Sequence, residues 1–369
     1  MPRCQADKSI TRVTVGDFQF PLGVYPVEKM DPKPGYTVTF ESADGGGEGG
    51  SGPGNTSGGF HPEPDGAEPG EEGERSGSGN PDDWEEWPDR YVFDAVISAH
   101  RVESLCRALF SLLPGRVYPI LDVLGRDAFR EVDPYITYEL VGTDRFLNAC
   151  RWLRDFFFED GLVGFGAMSE EPFFYIFIDE HKIVTVRAEP VLKEKIEKVL
   201  AAFDLSAMSD PAGADSASHE HRGVLLAPGD RPELLDGEQI LEFLKDDWKL
   251  VLNIDPETNV DDDQNALGTT AWRCLLRGEN EKETRYAQVC LAADHLKQAE
   301  ETAFDTLAEM CDKAEIDFDD AVVISADRLK TEEIPTIVEA ITKARIKPVK
   351  GLQPGKVYGF GWVGEREAR

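Results

Sequence analysis

Apolar residues recur along this chain in two rhythms. A spacing near 3.6 marks one face of a helix, and a spacing of two, or a short unbroken run, marks a strand. YVFDAVISA, from Tyr91, reads as a strand, and in HRVESLCRALFSLLPG the residues Val102, Leu105, Leu109 and Leu112 share a helical face that Gly115 ends. RVYPILDVL returns as a strand. The scheme repeats with YITYELVG as strand, TDRFLNACRWLRDFFFEDG as one helix and LVGFGAM as strand. An offset of 44 residues aligns Arg101 with Arg145, Cys106 with Cys150, Arg107 with Arg151 and Leu109 with Leu153, which suggests an internal duplication. PFFYIFIDEHKIVTVRA predicts a hairpin turning at 179–182, and EPVLKEKIEKVLAAFDL a helix with Pro190 in its first turn.

The C-terminal third continues the pattern. DGEQILEFLKDD predicts a helix and WKLVLNI a strand. AWRCLLRG and TRYAQVCLA make a hairpin around a polar turn, and a long helix covers 294–313. AVVISA, TEEIPTIVEAITKA and KVYGFGWV then read as strand, helix and extended segment. Strands interleaved with helices and hairpins predict an α+β fold. The expectation is two small ferredoxin-like α/β sandwich domains, over 90–205 and 231–369, the second with its helices stacked on one face of its sheet. Residues 1–40 read as short strands broken by Gly and Pro. Too short to fold alone, this segment is expected to dock on a later domain.

Composition changes the picture at two joints. Residues 41–89 hold fourteen acidic side chains against one basic among Gly, Ser and Pro, too little apolar area to offset chain entropy, so this stretch is expected to be a disordered linker. Trp84 and Trp87 near its end are candidate partner-binding residues, because exposed aromatics anchor interfaces. SAMSDPAGADSASHEHRG opens a second linker, over 206–230. The net charge of −32 disfavours nucleic acid and anionic membranes as partners. No run reaches the roughly 20 apolar residues that span a bilayer, and the start carries no signal-peptide pattern. Six scattered cysteines without CxxC spacing fit reduced thiols in a cytoplasmic protein.

Candidate chemistry is sparse. In IDPETNVDDDQN, residues Asp255, Glu257, Asn259, Asp261 and Asp263 alternate like the ligands of a calcium loop, but Val260 stands where an EF-hand needs Gly and Ala266 where it needs Glu. A looser Ca²⁺ or Mg²⁺ site would require Asp317, Asp319 or Asp320 to converge on it; otherwise no cofactor is predicted. His219 and His221 form an HxH pair in the second linker, with no third ligand at zinc spacing. His181 occupies a hairpin tip beside Asp179 and Glu180, where it reads as turn polarity or as an acid–base group. Gly161, Gly164 and Gly166 lie in an apolar strand with no helix after it, which excludes a dinucleotide loop. No Walker, GxSxG or HExxH sequence occurs. These features predict a non-enzymatic protein that binds a protein partner or a second copy of itself. The alternative is a divalent-metal-dependent enzyme, perhaps a hydrolase, using the 255–263 loop.

Overall fold

A computed structural model describes residues 2–43, 88–226, 231 and 233–363; Trp84, Trp87 and most of the acidic stretch lie outside them. In the N-terminal segment β1 (Thr14–Val15), β2 (Phe18–Gln19) and β3 (Val24–Pro26) precede β4 (Gly35–Glu41). The middle of the chain runs through β5 (Arg90–Val96), α1 (Ala99–Phe110), β6 (Arg116–Leu124), β7 (Val132–Ile136), β8 (Val141–Gly142), α2 (Thr143–Trp152), α3 (Arg154–Glu159), β9 (Val163–Ser169), β10 (Phe174–Ile178), β11 (Val184–Ala188) and α4 (Lys193–Ala202). After β12 (His219–His221) follow α5 (Gly237–Trp248), β13 (Val251–Leu252), β14 (Thr270–Glu279), β15 (Thr284–Ala293), α6 (Leu296–Ala314), β16 (Asp320–Leu329), α7 (Ile334–Thr342) and β17 (Val357–Trp362). The fold is a mixture of α and β, as the patterning predicts. Among the described residues no helix is long and apolar enough to cross a membrane.

A nine-stranded antiparallel sheet dominates, ordered β13-β7-β6-β9-β10-β11-β5-β4 with β8 beside β6. The alternate residues Leu121, Phe165, Ile176, Val186 and Phe93 point to one face, where α1 to α4 bury Leu105, Leu109, Phe146, Phe157 and Leu200 against them. Cys106 and Cys150, matched by the 44-residue offset, both lie in this core, and burial pushes both thiols well above their ordinary pKa. The core is not confined to 90–205. β4 joins it from the N-terminal segment, and α5 and β13 join it from beyond the second linker, with Ile240, Leu244 and Trp248 fully buried. Asp236 and Gln239 cap α5 reciprocally, which fixes where that helix begins.

Three local expectations give way to packing or turn chemistry. The single helix over 143–161 breaks at Leu153 (φ −105°, ψ 35°). At about 100° per residue a straight helix would fan Phe156, Phe157 and Phe158 apart, whereas the break buries all three. The strand over 135–142 is interrupted after Ile136, where the Thr137 hydroxyl accepts from the Glu139 amide. The second unit, a sheet ordered β16-β14-β15-β17, differs from a ferredoxin-like sandwich, because α6 packs on Trp272, Cys274 and Val289 while α7 packs on Ala271 and Cys290, which face the other way. Its central strands are apolar on both faces, so each face takes its own helix.

The 206–230 stretch, expected as a flexible linker, is tied down wherever it is described. β12 pairs with β3 (His219 with Pro26, His221 with Val24), and isolated bridges join Ala212 to Lys33 and Leu225 to Ala6. Its backbone groups find partners in the N-terminal segment.

Candidate metal centre

Two strand positions and one hairpin tip build the centre. His219 and His221 are two apart on β12, so their side chains project from the same side. His181 lies in the tight turn between β10 and β11. The Asp179 carbonyl accepts there from the Lys182 amide (3.0 Å), and the Asp179 carboxylate accepts from the Ile183 amide (2.8 Å). Lys182 takes the left-handed conformation (φ 67°) that closes the turn. Its buried Nζ donates to the Val163 carbonyl, and burial lowers its pKa to about 8 against the pull of Asp160 and Asp179.

Backbone crosses backbone beside this point. The Gly23 amide donates to Glu159 O (2.7 Å), the Arg222 amide to Gly23 O (2.8 Å) and the Gly161 amide to Arg222 O (3.3 Å). A Cβ on Gly23 would stand 1.8 Å from the Gly161 nitrogen, so the crossing needs glycine on both sides.

Tautomers decide what the three rings can do. His219 Nδ1 lies 2.7 Å from Ala217 O, His221 Nδ1 2.7 Å from Gly161 O, and His181 Nδ1 3.2 Å from Asp179 Oδ2 with Glu180 Oε1 at 3.6 Å. Carbonyls and carboxylates only accept, so each Nδ1 carries the proton and each neutral ring keeps a bare lone pair on Nε2. Those three Nε2 atoms face one another. His181 and His219 approach to 2.9 Å and His219 and His221 to 3.0 Å. Lone pairs held that close repel unless positive charge sits among them. Nitrogens about 2.05 Å from a tetrahedral ion would be roughly 3.3 Å apart, so an opening of a few tenths of an ångström admits zinc.

Charge around the rings divides them. Burial disfavours protonated His181, yet the hydrogen bond and charge of Asp179, with Glu180 and Asp215, outweigh it and hold its pKa above the ordinary value. At His221 burial and the neighbouring His181 act together and lower the pKa to about 4. Asp179, Glu180 and His181 form a second group of possible ligand atoms, but their contact is on the Nδ1 side of His181. That places the carboxylates behind the ring, where such groups orient a metal-ligating histidine. Three protein ligands leave a tetrahedral ion one further position, for water or another small donor. The cavity beside His181, lined by Phe18, Phe20, Ile97, Ile183 and Ala214, holds about 10 Å³, room for a single water at most.

The acidic loop arranges its side chains differently. Asp255 accepts from the Glu257 amide (2.9 Å), Glu257 pairs with Lys297 (2.7 Å), and Asp261 accepts from the amides of Asp263 (3.0 Å) and Asn265 (2.8 Å). Asn259 is buried, donating to Gly268 O and to the Thr270 hydroxyl. Asp320 pairs with Glu279 at the opposite end of β14 from Thr270, nine steps or roughly 30 Å along the strand, so Asp317, Asp319 and Asp320 do not converge on the loop. Among the described residues the loop contributes to no group of three metal-ligating side chains.

Asn259 takes part instead in a junction between the two sheets. Arg328 on β16 donates through Nε to both oxygens of Asp127 (2.9 Å each), and through Nη1 to Asn259 Oδ1 (3.1 Å) and the Val260 carbonyl. Its guanidinium lies over Phe129 and Trp272, and its side chain is 4% exposed against 0% for Asp127. Asp127 also accepts from the backbone amides of Phe129 and Arg328. Comparison with known proteins finds no family model, no curated protein and no solved structure that matches this chain.

Proposed function

We propose that this protein binds a zinc-class divalent ion through His181, His219 and His221, and that its role is regulatory or in binding rather than catalytic. One observation carries the metal: three Nε2 lone pairs converge while every Nδ1 proton is held by an oxygen. Imidazole suits zinc and its neighbours in the transition series, whereas Ca²⁺ and Mg²⁺ prefer oxygen, so the ion differs in class from the one expected at the 255–263 loop. The non-enzymatic side of the reading rests on the sequence, which carries no Walker, GxSxG or HExxH motif. Calorimetric titration of chelator-stripped protein with Zn²⁺ tests the proposal. We expect one ion per chain, abolished in His219→Ala and in His221→Ala. No heat, together with no rise in melting temperature at excess zinc, would rule the centre out.

A second reading rests on the ligand count. Closed structural zinc sites use four protein ligands, and three histidines with a free position are the composition that activates water. Under this reading zinc-loaded protein hydrolyses an activated ester faster than His219→Ala does; equal rates reject it.

A further inference from the structure

The three histidines belong to two bodies of the chain. His181 is at the tip of a hairpin rooted in the nine-stranded sheet, through the full β10–β9 and β10–β11 ladders. His219 and His221 sit on β12, whose ladder partner is β3 of the N-terminal segment. Beyond β12, that segment reaches the main body through dispersed contacts: Arg12 with Glu159 (2.7 Å), the Gln19 amide with Ser98 Oγ (2.9 Å), the Ala6 amide with Asp155 (2.9 Å), and a small cluster in which Phe18, Phe20, Val24 and Met30 meet Val96 and Ala214. An ion held by all three Nε2 atoms would cross-link the β3–β12 ribbon to the hairpin at one point.

Resting on the proposed metal site, we propose that metal occupancy controls docking of the N-terminal segment, so that the centre works as a lock between residues 2–30 with β12 and the nine-stranded sheet. Opening the ribbon pulls His219 and His221 away from His181 and leaves neither side with the three imidazoles. The ion therefore binds the docked form in preference to the open one and shifts the equilibrium toward docking. β4 is exempt, because its seven-residue ladder with β5 holds it independently of the histidines.

Hydrogen exchange on the full chain, stripped of metal and then given Zn²⁺, tests the lock. The amides of Ala6, Gln19 and Gly23, which bond across the contact to Asp155, Ser98 and Glu159, report on docking of the ribbon, and those of β4 serve as the internal reference. With free zinc at about a hundred times its Kd, ribbon exchange should slow about a hundredfold while β4 stays constant, since local opening must first release the ion. His181→Ala should lose this response. If zinc binds one per chain and ribbon exchange does not change, the centre stands and the lock is refuted. If zinc fails to bind, the metal reading itself has failed. Equal slowing in β4 and the ribbon would mean general stabilisation, and would also overturn the lock.

Discussion

The molecule joins its parts at two polar clusters that solve opposite problems. Around Arg328 the donors and acceptors match: the guanidinium has Asp127, Asn259 and Val260 as acceptors and two aromatic faces against it, and Asp127 takes two backbone amides besides. Around His181, His219 and His221 the outer nitrogens are matched, and when all three rings are neutral the inner three face each other as acceptors. A buried polar network complete in itself serves as architecture, whereas one that lacks a positive charge at its centre has room for a proton or a cation there. The contrast separates a structural cluster from a binding site better than charge density does, since the acid-rich loop belongs to the first.

Removing one partner from each cluster should break the comparison most sharply. Arg328→Ala takes from buried Asp127 its closest cation and leaves only Arg130 at 3.9 Å, so we expect a loss of up to about 3–5 kcal/mol in chemical denaturation whether or not metal is present. The double change Asp127→Leu with Arg328→Met should recover most of that loss. His219→Ala should have little effect on stripped protein, because it relieves a lone-pair clash. It should nevertheless abolish the gain of about 2.7 kcal/mol that zinc at a hundred times Kd gives the wild type. A large loss without metal would show that the histidines are as structural as Arg328.

Smaller effects sharpen the contrast. Asp327 stands beside the Arg328 cluster, and burial, reinforced by Asp133 and Asp127, raises its pKa to about 6. Between the ordinary 3.8 and about 6 the folded chain holds a proton that the unfolded chain has released, so this group's contribution falls as pH climbs through that window and stays low above it. Asp327→Asn should flatten that decline and add about 1–2 kcal/mol at pH 7. Smallest of all, Asp261→Ala with Asp263→Ala should leave zinc stoichiometry and ribbon exchange unchanged. Loss of the zinc signal in that variant would return the metal to the acidic loop.

Most of the regular elements were legible because their apolar spacing is local information. α1, α4, α6, the β10–β11 hairpin and the β14–β15 hairpin all fall where the pattern places them. What escaped was non-local. Nothing in the run around Trp248 says that α5 packs under the nine-stranded sheet against Phe146 and Phe157. The candidate metal centre is hidden for a related reason: HxH at strand spacing is visible, but Gly, Ser and Asp around it read as linker, and His181 lies 38 residues away. The missing signal was the pairing of β12 with β3, which turns a polar run into a strand and fixes which side its histidines face. The acidic loop resembles a site in the sequence because its side chains are adjacent, although turn hydrogen bonds direct Asp255 and Asp261 at the local backbone.

Trp248 carries a practical consequence. It is fully enclosed, stacked on Phe157 and tilted against Phe146, yet with Ile240, Leu244 and Leu250 it comes from beyond the 206–230 crossing and enters a core built mostly from earlier residues. A fragment ending at residue 205 would leave a tryptophan-sized hole in its interior and strip β7 of its β13 neighbour. Any attempt to excise, swap or transplant the larger half of this protein should carry the chain through to residue 253.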